Sequence, residues 1–312
     1  MAAHVFQSSG DLTADRRYEF ARDLAARGDL AAAADLFAQA VELAPNFAAG
    51  WFALGEAQEE RGEKAEAIIA FQKALTLDAA DIHGAQLHLA RLGAEPPGEM
   101  SAAYVREVFD QYAPRFDEAL TKGLNYRGPE LLLAAVASAC ATNGGMHFGS
   151  AIDLGCGTGL GGAAFRPFCE RLTGVDLSPK MIAAARSKQI YDTLAVGDIV
   201  EFLAQENTDS VNLVLAADVF AYFRDLGTIL AACAKVMQQG GMLAFSAETH
   251  DGDGVILGDK LRFAHGEHYV RNAIKVAGLT VVSLTSASTR NEAGVPVSGL
   301  IVVARRERAD AP

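Results

Sequence analysis

The stretch "AIDLGCGTGLGGAAF", from Ala151 to Phe165, constrains the fold of this chain more than any other. A short apolar run carrying one acid, Asp153, leads directly into a cluster of five glycines. Residues without side chains allow a tight turn between a strand and a helix, and they let a ligand approach the backbone at the helix N-terminus. The stretch therefore predicts a strand-turn-helix unit that contacts a ligand.

The sequence around this unit alternates between strand-like runs and helical stretches. A helix is expected in "EHYVRNAIKVAGL", followed by two β-rich segments, "TVVSLTSAS" and "VPVSGLIVVARR", joined by a polar turn. Five earlier strands are expected, near residues 150–155, 171–177, 192–197, 211–217 and 241–247. This order predicts an α/β fold with a seven-stranded, doubly wound, Rossmann-like sheet and a hairpin at one edge.

The first ninety residues repeat with a period of 34. Small and aromatic residues recur at matched positions: Gly28 and Gly62, Ala33 and Ala67, Phe37 and Phe71, Ala40 and Ala74. Such a period is typical of helix-turn-helix repeats, so residues 1–95 are predicted to form about two and a half repeats. The segment 96–127 is predicted to be a linker followed by an N-terminal lid helix, and residues 128–312 form the α/β domain.

Composition limits the partners and the compartment. The formal net charge of −12 disfavours nucleic acid, because phosphates repel an acidic surface. The four cysteines form neither CxxC pairs nor a Cys/His pattern, so we expect no metal. The longest apolar run, "LLLAAVASACA", is too short to span a bilayer, and the stretch "MAAHVFQSSGDLTADRR" has no basic segment followed by an apolar run, as a signal peptide would. We therefore expect a cytoplasmic protein without a membrane partner.

The glycines alone leave the ligand open. Gly157, Gly159 and Gly162 satisfy the G-x-G-x-x-G pattern of dinucleotide sites, so an NAD-dependent oxidoreductase is one candidate. Three acids favour another ligand: Asp153 suits an ammonium, Asp176 suits two ribose hydroxyls, and Asp198 suits an adenine amino group. An adenosine with a cationic, amino-acid-bearing tail satisfies all three.

The region from about 149 to 306 resembles the class I, seven-stranded S-adenosylmethionine (SAM) dependent methyltransferases. The resemblance rests on "DLGCGTG", "VDLSPKM", "GDI" and "LVLAADVFAYF", which occur in the expected order. The segment "WFALGEAQEERGEKAEAIIAFQKALTLD" resembles a tetratricopeptide repeat. The whole chain is similar to bacterial predicted methyltransferases that carry N-terminal tetratricopeptide repeats.

The resemblance implies a set of cofactor-binding residues and S-adenosylhomocysteine as the product. The implied set is Asp153, Gly155, Cys156, Gly157, Gly159, Asp176, Leu177, Met181, Asp198, Ile199 and Ala216, with Tyr112, Tyr126 and Arg127 from the lid. Alternatives stay open for several members. Met181 could be a core residue, Asp198 could cap the helix "IVEFLAQ", Tyr112 could belong to an apolar stripe, and Arg127 could lie at the surface.

Candidate catalytic residues are Asp218, Tyr222 and His265. Asp218 could be a base, an orienting acceptor or a helix cap, and His265 could line the acceptor pocket from a helix start that it shares with His268. The fourth motif reads "ADVF" and lacks the [DN]PP[YF] tetrapeptide, which disfavours nucleic acid as the acceptor. A small molecule or a repeat-recruited protein remains as acceptor, and the repeats could also bind a partner or self-associate. The alternative is a repeat interaction module whose methyltransferase fold binds SAM without turnover.

Overall fold

The computed structural model describes residues 8–141 and 145–307, which form two compact units. The first unit runs to Gln111 and includes Asp259–Leu261, and the second comprises Tyr112–Gly258 and the chain from Arg262 onward. The outermost residues of the two predicted domains, 1–7 and 308–312, lie outside the described residues.

The first unit consists of antiparallel helix pairs. The helices are α1 (Leu12–Ala26), α2 (Leu30–Leu43), α3 (Ala48–Glu60), α4 (Lys64–Leu77), α5 (Ala85–Arg91) and most of α6 (Ala102–Tyr112). Gly28 and Gly62 occupy the turns within the two repeats, at φ +83° and +81°, a backbone region that favours glycine. The predicted tetratricopeptide-like repeats are confirmed, and the partial third copy expected after them stays a prediction, with α5 at its position.

Equivalent residues of the two repeats fill the core of this unit. Phe37 and Phe71, one period apart, are 2% and 0% exposed. Gly55 lies on α3 directly against Phe71, where an added Cβ would come within 2.7 Å of the ring. The indole nitrogen of Trp51 donates a hydrogen bond to the carbonyl of Pro45 at 2.9 Å, which joins the start of α3 to the end of the first repeat.

The second unit is an α/β domain with a seven-stranded mixed sheet. The helices that follow α6 are α7 (Phe116–Glu118), α8 (Gly128–Cys140), α9 (Leu160–Phe165), α10 (Pro179–Ser187), α11 (Ile199–Gln205), α12 (Gly227–Val236) and α13 (Glu267–Val276). A turn of π-helix, Ala119–Gly123, follows α7. The strands are β1 (Phe148–Leu154), β2 (Cys169–Asp176), β3 (Thr193–Val196), β4 (Val211–Ala216), β5 (Met237–Glu248), β6 (Val255–Leu257), β7 (Phe263–His265), β8 (Leu279–Ser286), β9 (Asn291–Glu292), β10 (Val295–Pro296) and β11 (Gly299–Arg306).

The strand order of the main sheet is β3-β2-β1-β4-β5-β11-β8. The first five strands of this order run parallel, and β11 pairs antiparallel with both β5 and β8. The predicted seven-stranded, Rossmann-like fold with a terminal edge hairpin is therefore confirmed. The polar segment between β8 and β11 also contains a small ribbon, β9 with β10, and β6 pairs with β7 in a second ribbon.

Both faces of the sheet are buried, because helices cover each of them. Successive side chains along a strand point to opposite faces and so enter different cores. In β4, Val214 and Ala216 pack in the core formed with α11, α12 and α13. Leu213 and Leu215 face the opposite core, which is formed with α8 and α9. The carboxyl ends of β1, β2, β3, β4 and β5 therefore meet along one edge, which is where ligands bind in open α/β sheets.

We expect Phe71→Ala to lower the free energy of unfolding by about 3–5 kcal/mol, because it removes a fully buried ring from the repeat core. The matched control is Phe20→Ala, since the Phe20 side chain is 57% exposed. The control should change stability by less than about 1 kcal/mol. Urea unfolding followed by far-ultraviolet circular dichroism measures both, and equal effects would contradict the packing described.

Candidate functional site

The glycine turn between β1 and α9 has a backbone that side chains would strain. Gly155, Gly157 and Gly159 have φ values of +59°, +53° and +97°. An added Cβ on Gly155 would come within 2.6 Å of Val219, which follows β4. Glycine at these alternate positions is therefore required by the backbone and by the close approach of the neighbouring strand end.

Asp176, at the end of β2, holds this turn. One oxygen of its carboxylate accepts a hydrogen bond from the Gly157 amide at 2.9 Å, and the other accepts from the Ser178 amide at 2.8 Å. The Cys156 amide donates to the Val175 carbonyl at 3.0 Å, while the Cys156 thiol is turned into the protein and burial raises its pKa. The predicted pair of glycine turn and second-strand acid is thus one hydrogen-bonded unit.

Asp153 lies behind the turn and is 2% exposed. Its carboxylate accepts a hydrogen bond from the Tyr191 hydroxyl at 2.7 Å and another from the Gly162 amide. Burial raises the pKa of Asp153 to about 7, and the nearby Asp176 charge acts in the same direction. The Tyr191 contact was not predicted from the sequence. The sequence does contain Gly162 and Gly174, whose lack of side chains leaves room for the tyrosine ring.

The residues predicted to surround an adenine ring divide into two groups. Leu177 is half-buried at the sheet edge, whereas Met181 is 0% exposed and Ile199 is 5% exposed, so both are core residues here. Asp198 caps α11 by accepting from the Val200 and Glu201 amides at 2.8 and 3.0 Å. Contact between Met181 and a ligand would require the side chain to move, which favours its alternative role in the core.

The segment after α6 covers the glycine turn. The Phe116 ring lies 3.5 Å from the position that a Cβ on Gly157 would occupy. The Asp117 carboxylate accepts from the Thr158 hydroxyl and pairs with the Lys188 ammonium at 2.6 Å. This three-residue contact was not predicted. The predicted lid residue Tyr112 packs edge-to-face on Phe116, with the ring centroids 5.4 Å apart, and Phe116 is the ring that lies near Gly157.

Tyr126 and Arg127 precede α8. The Arg127 amide donates to the Thr289 carbonyl at 2.7 Å, and the Arg127 side chain is exposed. Burial raises the pKa of Tyr126, and the neighbouring charges of Asp218 and Asp153 raise it further. Tyr126 therefore lies near both predicted acids, while the backbone of Arg127 is held by Thr289 and its side chain is exposed.

Asp218 follows β4 with a left-handed backbone, φ +57°. Its carboxylate accepts from the Ser246 hydroxyl at 2.7 Å and from the Thr289 hydroxyl at 2.9 Å, and it pairs with the Arg290 guanidinium at 2.7 Å. Its own amide donates to the Ser246 hydroxyl oxygen at 2.8 Å. This arrangement is a tether between strand ends and not a helix cap, so the capping alternative does not apply.

The Arg290 guanidinium continues the network to β5 and to the β9–β10 ribbon. Arg290 also pairs with Glu248, and with Glu292 at 3.1 Å, while its side chain is 8% exposed. Arg262 pairs with Glu248 at 2.5 Å and also with Glu292. Three carboxylates and two guanidinium groups therefore fasten together the segments around this part of the sheet edge.

Tyr222 and His265, the other predicted catalytic residues, have enclosed positions. Burial raises the pKa of Tyr222 to about 12, so its hydroxyl is protonated at neutral pH and can donate a hydrogen bond. His265 is the last residue of β7 and is 0% exposed; α13 begins two residues later, so only His268 lies on the helix. The Nε2 of His265 lies 2.9 Å from the Phe223 carbonyl, and burial lowers its pKa to about 4.

Within residues 8–141 and 145–307, no group of three or more His, Cys, Asp or Glu side chains could hold a metal ion. In the same described part of the chain, every helix is too short or too polar to traverse a bilayer.

Ala216, the remaining predicted cofactor contact, is 0% exposed at the end of β4 beside the turn.

Two family profiles match the two units. Residues 152–245 match the profile described as "Methyltransferase domain", and residues 18–82 match the profile described as "Tetratricopeptide repeat". The first match contains the glycine turn, Asp176, Asp198 and Asp218. The chain therefore combines a tetratricopeptide repeat region with a methyltransferase domain, which confirms the resemblance recognised in the sequence.

Curated relatives align with part of this domain. An ubiquinone biosynthesis O-methyltransferase of Xanthomonas oryzae pv. oryzae is 31% identical over 98 residues, which are 30% of this chain and 41% of the relative. A malonyl-acyl-carrier-protein O-methyltransferase of Serratia marcescens is 29% identical over 141 residues, which are 45% of this chain and 53% of the relative. The chain thus spans about half the length of the curated relatives it matches.

Solved structures share the fold at low identity. A chain from the complex of the Haloferax volcanii Trm112 methyltransferase activator with a methyltransferase aligns with 64% of this chain and 98% of its own, at 20% identity and a TM-score of 0.50. A cyclase named SpnF aligns with 68% of this chain and 99% of its own, at 15% identity and a TM-score of 0.54. These likenesses establish the fold alone.

We expect Gly155→Ala to destabilise the chain by about 1–3 kcal/mol, because alanine resists the left-handed backbone and its Cβ would overlap Val219. Gly197→Ala is the matched control, since nothing lies within 4 Å of an added Cβ at this neighbouring strand end. It should change stability by less than about 0.5 kcal/mol. Differential scanning calorimetry compares the two, and an unchanged Gly155→Ala melting curve would refute the strained turn.

His265 should make the fold sensitive to acid. Its folded pKa is lowered to about 4 from the ordinary 6.5, so the unfolded chain binds the extra proton between these values and the free energy of unfolding falls as pH falls. His265→Gln keeps a donor for the Phe223 carbonyl but cannot become charged. Urea unfolding at about pH 7.5 and about pH 5 should therefore show a smaller pH effect in His265→Gln than in the exposed control His268→Gln. Identical pH effects in the two variants would exclude His265 as the acid-sensitive group.

Proposed function

We propose that this protein is a SAM-dependent methyltransferase that transfers a methyl group by in-line displacement. The observation that carries the proposal is the glycine turn at the sheet edge, with three alternate left-handed glycines whose central amide donates to the second-strand acid Asp176. Backbone without Cβ atoms, followed by an acid at the next strand end, is a donor and acceptor set that suits an adenosine with an amino-acid tail.

Different residues in and around the turn would bind different parts of the cofactor. The backbone from Gly155 to Gly159 would line the methionine part, and Asp153 would supply negative charge behind it. Asp176 accepts from the Gly157 and Ser178 amides at the end of β2, and its carboxylate would accept from the two ribose hydroxyls. Asp198 has one oxygen engaged in capping α11 and can offer the other toward the adenine edge.

When bound, SAM supplies a methyl group already activated by its sulfonium, so the protein needs chiefly to orient an acceptor lone pair in line with the breaking bond. The geometry agrees with a reaction that needs no strong base from the protein. Asp218 is engaged by Ser246, Thr289 and Arg290, and His265 has no exposed surface, so neither is placed to remove a proton without rearrangement. The Tyr222 hydroxyl is suited to donate a hydrogen bond and not to act as a base.

The acceptor that we propose is an oxygen atom of a small molecule or of a protein recruited by the repeats. Both curated relatives described above are named O-methyltransferases, which supports oxygen. The tetratricopeptide region supports a protein partner or self-association, and the acidic composition disfavours nucleic acid. A cytoplasmic location is part of the same proposal.

The competing function is a repeat interaction module whose methyltransferase fold binds SAM without turnover. A fold does not by itself fix a reaction, and one structure of this fold carries the name of a cyclase. The two functions differ in one measurable product. Release of S-adenosylhomocysteine from SAM in the presence of a library of hydroxyl-bearing acceptors supports the enzyme. Cofactor binding without product, together with partners that bind through the repeats, supports the module.

We expect Asp176→Ala to weaken S-adenosylhomocysteine binding by about 100-fold, because it removes a charged acceptor of the ribose hydroxyls. Isothermal titration calorimetry measures the affinity. The matched control is Asp192→Ala, which removes a carboxylate that accepts from Arg166 at 2.6 Å and from the Leu172 amide at 2.7 Å away from the turn. The control should bind within about twofold of the unaltered protein.

The same titration distinguishes the ligand class. The unaltered protein should bind S-adenosylhomocysteine and show no heat with NAD. Binding of NAD instead would establish the dinucleotide alternative, and unchanged affinity in Asp176→Ala would refute the assignment of this acid. A melting curve for each variant separates lost binding from lost folding, because Asp176 also supports the Gly157 amide.

A further inference from the structure

Tyr191 occupies a slot that three glycines leave open. It lies between α10 and β3, and its ring packs where side chains at Gly159, Gly162 and Gly174 would otherwise project. An added Cβ would come within 3.1 Å of the ring at Gly159 and within 2.9 Å at Gly174, and at Gly162 it would overlap the hydroxyl. One glycine comes from the turn, one from α9 and one from β2, so three elements shape this slot.

The slot directs the Tyr191 hydroxyl to one acceptor. The hydroxyl donates to the Asp153 carboxylate at 2.7 Å, and the Gly162 amide donates to the same carboxylate. Burial and the Asp153 charge both raise the pKa of Tyr191, so the hydroxyl stays protonated and remains a donor. The Tyr191 hydroxyl therefore contacts a carboxylate that is 2% exposed behind the turn.

We propose that Tyr191 is a positioning residue of the cofactor site, whose hydroxyl favours the charged form of the Asp153 carboxylate and fixes it behind the glycine turn. This inference rests on the proposed SAM-binding function. A cationic amino-acid tail on the turn gains from a charged Asp153 and gains little from a protonated one. Tyr191 therefore acts on cofactor affinity through Asp153, without touching the cofactor.

The electrostatic surroundings of Asp153 explain why a single hydroxyl matters. Burial raises the pKa of Asp153 to about 7, the Asp176 charge raises it, and the bonds from Tyr191 and Gly162 lower it. The other titratable groups that face it are the thiols of Cys156 and Cys169 and the hydroxyl of Tyr126, and burial raises the pKa of all three. The hydroxyl of Tyr191, which donates at 2.7 Å, and the Gly162 amide are therefore the contacts that favour the charged form of Asp153.

The test is a double-mutant cycle on S-adenosylhomocysteine affinity in the full chain, with Tyr191→Phe, Asp153→Asn and the double variant. At about pH 7, Tyr191→Phe should weaken binding by about tenfold, because loss of the hydroxyl raises the Asp153 pKa and leaves the carboxyl largely protonated. At about pH 9, where the carboxyl is ionised in both proteins, the ratio of the two affinities should shrink toward one. In the Asp153→Asn background, Tyr191→Phe should change nothing further.

The matched control is Tyr269→Phe. The Tyr269 hydroxyl donates to the Asp225 carboxylate at 2.9 Å, so this variant removes the same kind of bond elsewhere in the domain. It should leave the affinity within about twofold at both pH values. Comparing affinities of one ligand between variants at each pH cancels any titration of the ligand itself.

Each outcome has one meaning. A pH-dependent loss in Tyr191→Phe that disappears beside Asp153→Asn supports the proposal. A loss that is the same at both pH values, or one that adds to that of Asp153→Asn, overturns it. If Tyr191→Phe does not fold, Gly162→Ala serves instead, because its Cβ displaces the hydroxyl while both side chains stay intact, and it should give the same pH-dependent loss. Failure of the unaltered protein to bind the ligand would refute the proposed function and, with it, a role of Tyr191 in a cofactor site, whereas a pH-independent loss in a protein that does bind would overturn the role of Tyr191 alone.

Discussion

The hydrogen bond from the Gly157 amide to the Asp176 carboxylate is the interaction on which the proposed site depends. It joins the turn after β1 to the end of β2, and it fixes a backbone path that only glycine follows without strain at residues 155, 157 and 159. The parallel sheet supplies the common edge on which these strand ends meet. Together with the bond from the Cys156 amide to the Val175 carbonyl, it holds the turn against the end of β2.

Charge is arranged differently on the two sides of this turn. On the cofactor side, Asp153 and Asp176 are buried acids supported by amides and a tyrosine hydroxyl, which suits a cationic ligand. On the proposed acceptor side, Asp218 and its neighbours are neutralised by Arg262 and Arg290. The first arrangement suits a cationic ligand, and the second holds loops together. The methyl transfer that we propose therefore relies on the orientation of the acceptor and on the sulfonium of the cofactor more than on a strong base.

The sequence predicts the architecture well because glycine turns, strand periodicity and the 34-residue repeat are local signals. The seven strands, the edge hairpin and the repeat helices follow from them. Contacts between distant segments are not local, which is why Tyr191 beneath the turn, Asp117 above it and the Arg290 network were missed. Met181 and His265 show the same limit, because each has the right residue type but a side chain enclosed by the core.

The most direct test of the central claim is a crystal structure of the full chain with S-adenosylhomocysteine. The account predicts that the methionine part lies along the backbone from Gly155 to Gly159, with both ribose hydroxyls on Asp176 and the ligand ammonium on the side of Asp153. A ligand bound elsewhere, or one at this edge whose ribose makes no contact with Asp176, would contradict the account.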